Sequence, residues 1–106
     1  MTGLVSRLWI GLAEVVPIDR ESPITGAGAF VNVVGPGDSP AAFRSSLERA
    51  AAGAHLSVLD LEEVELLEDR LRSHSVDDET MQAISAATAS GRITFGTFHN
   101  YPTLDA

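Results

Sequence analysis

Gly28-Ala-Phe-Val-Asn-Val-Val-Gly-Pro-Gly37 is the stretch on which the fold turns. Phe30 to Val34 is short, β-branched and almost wholly apolar, and glycines fence it at both ends. A strand covered on both of its faces reads this way. Asp38-Ser39-Pro40 follows and leads straight into a helical pattern. Asp38 or Ser39 can cap that helix, and Pro40 suits its first position. Phe43, Leu47, Ala50 and Ala51 then recur at helical spacing as one slim face, and Gly53 ends it.

Upstream, Leu4 to Val16 predicts a strand with apolar side chains of both parities. Leu8, Ile10 and Leu12 alternate onto one face, and Trp9, Gly11, Ala13 and Val15 share the other. Glu14 interrupts the first series, and Pro17 ends the strand because it cannot donate to a ladder. The polar connection from Asp19 to Gly26 is rich in turn formers and long enough to join the two strands as an antiparallel hairpin. Within the second strand, Asn32 shares a face with Phe30 and Val34, so its amide needs partners across the sheet or at a shallow pocket.

Downstream, His55 to Leu61 predicts a third strand, extended by alternation to about Val64, with a short helix from Leu67 to Arg72. A further helix starts at Ser75 or Asp77, carries Met81, Ile84, Ala87 and Thr88 as its inward stripe, and stops at Gly91. Arg92 to Tyr101 predicts a last strand closed by Pro102. The order is β-β-α-β-(α)-α-β, and the reading is one α+β domain over residues 1–106. It is a small two-layer sandwich with a mixed sheet of about four strands and helices on one face. The segment from the second strand to the third predicts a right-handed parallel crossover, an ingredient of ferredoxin-like folds, although the opening strand pair departs from their βαββαβ order. With helices on one face only, the other face is left as a surface for dimerisation.

A chain of 106 residues buries only about 60–68% of its unfolded surface, so its core is thin. The formal net charge of -8 opposes nucleic acid and anionic membrane surfaces as partners and is compatible with a basic protein. The absence of cysteine excludes disulfides, thiol nucleophiles and thiolate metal sites. Neither a secretory leader nor a membrane-spanning run is read in the sequence, which gives a cytoplasmic location as the expectation.

The short motifs do not specify a reaction. Gly35-Pro-Gly-Asp-Ser39 lies between strand and helix, where phosphate loops occur, but two prolines remove donors and Asp38 puts a carboxylate at the anion position. His55, His74 and His99 are far apart and lack zinc-ligand spacing, so no metal or cofactor is expected. No nucleophile-elbow pattern singles out a catalytic serine.

Two functional readings follow. The first is a non-catalytic acidic protein that associates as a homodimer through Trp9 and Phe98 on the uncovered face. In it, the acids Glu62, Glu63, Glu65, Glu68 and Asp69, which continue the run begun by Asp60, offer a surface to a basic protein that it binds or inhibits. The alternative is a small-molecule-binding protein or minor enzyme with a pocket of Trp9, Glu14, Asn32, His99 and Tyr101. There His99 would act as a base, Tyr101 as an acid or orienting donor, and Glu14 would orient the histidine.

Overall fold

In a computed structural model that describes residues 7–24 and 26–101, the chain is an α+β domain with an antiparallel sheet and three helices. The elements are β1 (Arg7–Pro17), β2 (Gly28–Gly37), α1 (Pro40–Gly53), β3 (Leu56–Leu66), α2 (Leu67–Ser73), α3 (Asp78–Ser90), β4 (Thr94–Phe95) and β5 (His99–Tyr101). The start of the first predicted strand, residues 4–6, and the closing Pro102 lie outside the described residues.

Strand order across the sheet is β3-β1-β2-β4, with β5 also paired to β2. β1 and β2 form the expected hairpin, in register from Arg7 opposite Gly37 to Val15 opposite Ala29. The sheet is antiparallel in every described ladder rather than mixed. β2 and β3, joined through α1, do run in the same direction. β1 lies between them, so no parallel ladder forms.

Local chemistry places the helix ends. Ser39 caps α1 by accepting from the Ala42 N–H at 3.1 Å, with Pro40 at the first turn. Asp77, rather than Ser75, caps α3 through the Thr80 N–H at 2.8 Å. Gly91 closes α3 in the left-handed region at φ 67. The inward stripe of α3 is rotated from expectation: Thr80, Ala83, Ile84 and Ala87 are buried, while Met81 is 42% exposed and Thr88 faces solvent. The last predicted strand is broken at Gly96–Phe98, where the Gly96 N–H donates to the Asn32 carbonyl at 2.8 Å.

Cover is divided between strand parities, and the helices do not share one face. Ala13, Val15, Ala29, Val31 and Val33 form a first side with Phe43, Leu47 and Ala51 of α1 and with Leu56. Ile10 and Val34, of the opposite parity and directly paired, form a second side with Leu67 of α2 and Ala83, Ile84 and Ala87 of α3. β3 passes along the sheet edge with two register irregularities, opposite Gly11 and between Glu14 and Val15. In the first, Glu63 takes a left-handed conformation at φ 56. The Arg70 guanidinium holds this bulge, donating to the Glu63 carbonyl at 3.1 Å and to Glu65 Oε2 at 2.6 Å.

Candidate functional site

Alternation along β1 shows where the second side loses its cover. Ile10 is buried, but Leu12, Glu14 and Val16 are only half-buried, whereas Gly11, Ala13 and Val15 between them remain buried. On β2 the same change separates buried Val34 from half-buried Asn32 and from Phe30, which is 39% exposed. Register joins these residues into one surface. Leu12 faces Asn32 and Glu14 faces Phe30 across the hairpin, while Phe30 faces His99 and Gly28 faces Tyr101 across β5. On the β3 flank, Leu12 is paired with Glu62, Glu14 with Asp60 and Val16 with Ser57. The result is an apolar strip of Leu12, Val16, Phe30 and Tyr101 with exposed acids Asp60 and Glu62 along one flank.

Tyr101 fastens the other flank. Its hydroxyl donates to Glu14 Oε2 at 2.6 Å, and its ring lies 5.5 Å from that of Phe30, tilted by 44°. The bond to the Glu14 carboxylate, assisted by burial and by that negative charge, holds the phenol above its usual value of 10.0. Gly28 lets the ring lie there, since a Cβ at residue 28 would run into the Tyr101 hydroxyl.

The residues expected to form a pocket are therefore brought together in part. Glu14 and Tyr101 touch, and Asn32 and His99 share their side of the sheet. Trp9 has the opposite parity: it packs against the α1-side core, and its indole N–H donates to the Gly37 carbonyl at 2.7 Å. Phe98 also packs against that core, stacked on Phe95 at 5.8 Å. Both aromatics expected on the uncovered face thus belong to the covered one, because α1 packs on their side. The described residues include two open concavities of about 250 Å³, one lined by Arg7, Leu8, Leu66, Leu67 and Glu68 and one between α3 and β4. Neither is lined by Glu14, Asn32, His99 or Tyr101.

The acidic run does not act as one face. Glu65 pairs with Arg70 at 2.6 Å and Asp69 with Arg72 at 2.8 Å, while Glu63 sits in the bulge and Glu68 on α2. Only Asp60 and Glu62 flank the apolar strip through direct register with β1.

Among the described residues one group of possible metal ligands converges: Asp19, Glu21 and His55, with ligand atoms within 4.8 Å of one another. His55 Nδ1 lies 3.0 Å from Asp19 Oδ2 and Nε2 lies 3.5 Å from Glu21 Oε2, so each ring nitrogen already faces a carboxylate. The Asp19 carboxyl is held below its usual value first by the Glu21 N–H, then by the hydrogen bond from His55. This cluster ties the loop after β1 to the α1–β3 connection. The residues lie too far apart in sequence for spacing to have indicated it. Leu12 and Phe30, likewise, read as ordinary strand residues until cover on their side is known.

Comparison of the chain with family models, curated proteins and solved structures gives no match.

Proposed function

We propose that the protein acts by non-covalent association, without catalysis, and that the uncovered half of the second side is its contact surface. The observation supporting this most directly is the loss of cover beyond Ile10 on β1, which leaves Leu12, Val16 and Phe30 grouped around Glu14 without a helix over them. Apolar side chains grouped in this way gain roughly 25 cal/mol per Å² when a partner removes them from water. The hydroxyl of Tyr101 is engaged by Glu14, and in this reading both fasten β5 and shape the surface.

Self-association as a homodimer is the simplest use of such a strip, and a cytoplasmic location is part of the same reading. No helix among the described residues is long and apolar enough to cross a membrane. Sedimentation equilibrium at high ionic strength, where repulsion between chains of net charge -8 is screened, tests the dimer. The expected result is concentration-dependent association that Leu12→Asp with Phe30→Asp abolishes. A monomer at every concentration would remove self-association from the reading. The acids on the β3 flank favour a second use of the same surface, by a basic partner.

A further inference from the structure

We infer that the uncovered half of the second side takes one amphipathic helix of a partner protein, apolar along one face and arginine- or lysine-rich along its flank. This rests on the association reading above and names the occupant. Shape supplies the first argument. From Leu12 to Val16 is four steps along β1, or about 14 Å, which matches the roughly 10–12 Å diameter of a single helix with its side chains. Across the sheet, β3, β1, β2 and β5 span about 14 Å, enough for roughly ten helical residues. α2 and α3 already pack helix on sheet at the adjoining end of this side, so another helix would continue the same layer.

Charge supplies the second argument. The strip carries Asp60 and Glu62 on its β3 flank and Glu14 within it, and β1, β2, β3 and β5 contribute no arginine or lysine to it. All seven cationic side chains of the chain are arginines. Arg20, four residues after Val16, lies in the exposed loop beyond β1 rather than on the strip, and Arg70 is held by Glu65 and the Glu63 carbonyl. At low ionic strength a second copy would bring acids against acids, whereas a cationic flank would neutralise them.

Two synthetic helices of roughly three turns test this, with identical leucine stripes and either arginine or glutamate on the flanks, titrated against the whole chain by fluorescence anisotropy. The arginine helix is expected to bind, and to bind roughly tenfold more weakly as salt rises from low to above physiological strength. The glutamate helix is expected to bind at least roughly tenfold more weakly than the arginine one at low salt. Asp60→Asn with Glu62→Gln should weaken the arginine helix several-fold, whereas Glu68→Gln, on α2, should leave it unchanged. Phe30→Ser should abolish binding. Should that variant fail to fold, the Asp60 and Glu62 pair, both exposed, carries the test alone.

Equal binding of both helices that Phe30→Ser removes would overturn the cationic occupant and leave the contact surface standing. Self-association that Phe30→Ser removes, with neither helix binding, would give the surface to a second copy instead. Neither binding nor self-association would overturn this inference and the reading beneath it together.

Discussion

Val33 and Phe30 stand three residues apart on β2, and their surroundings differ completely. Val33 is 0% exposed beneath α1, while Phe30, of the opposite parity, is 39% exposed. The same contrast runs through β1, where Ala13 and Val15 are buried and Leu12 and Val16 are not. A strand with apolar side chains of both parities announces that both sides want cover, but not how far along each side the cover reaches. The reach depends on where the helices land: the fourteen-residue α1 serves one side, and the seven-residue α2 and thirteen-residue α3 gather at the Ile10 and Val34 end of the other.

The largest test of this contrast is a pair of truncations. Phe43→Ala, in the covered core, should cost about 3–5 kcal/mol in chemical denaturation. Phe30→Ala should cost under about 1 kcal/mol, because its ring already meets solvent. Comparable losses would mean that the second side is covered after all. A smaller effect is expected at Gly28, which lies on the uncovered side but under Tyr101. Gly28→Ala would place a Cβ 2.8 Å from the Val15 carbonyl, which cannot swing away as a side chain can. The expected cost is about 1–3 kcal/mol, with loosening of β5. A neutral result would show that Tyr101 does not lie over this position.

Much of the fold was legible because strong local signals pointed one way. Ser39-Pro40, Asp77 and Gly91 each have a chemical reason to end a helix, and the turn-rich Asp19–Gly26 segment fixed the β1–β2 hairpin. What remained hidden depended on where elements land relative to one another. Insertion of β1 between β2 and β3 removes the parallel ladder, and no property of the β2–α1–β3 sequence records it. Trp9 illustrates the same limit for the site. Its parity was read correctly, grouped with Gly11, Ala13 and Val15, but the side that α1 chooses decides whether that parity is core or surface. Glu14 and Tyr101 came together because β1 and β5 both pair with the Gly28–Phe30 end of β2, although their 87-residue separation carried no signal of it.

The smallest effect is also the cleanest to read, because the chain has a single tyrosine. In the folded protein the Glu14 carboxylate accepts a hydrogen bond from the Tyr101 hydroxyl and opposes a second negative charge beside it, so the phenol titrates above 10.0. Unfolding frees it to titrate at about 10. A group whose folded value is raised contributes its stability fully below the unfolded value and loses it as pH rises through the folded one. Tyrosinate absorbance should therefore show a midpoint above 10.0, and stability should decline as pH passes from about 10 through that midpoint. Glu14→Gln keeps an acceptor but removes the charge, and should move the midpoint back towards the ordinary value. A wild-type midpoint at or below 10.0 would mean that the hydroxyl is not held by Glu14. β5 would then lack its fastening, and the strip of Leu12, Val16 and Phe30 would lose the flank that Tyr101 gives it.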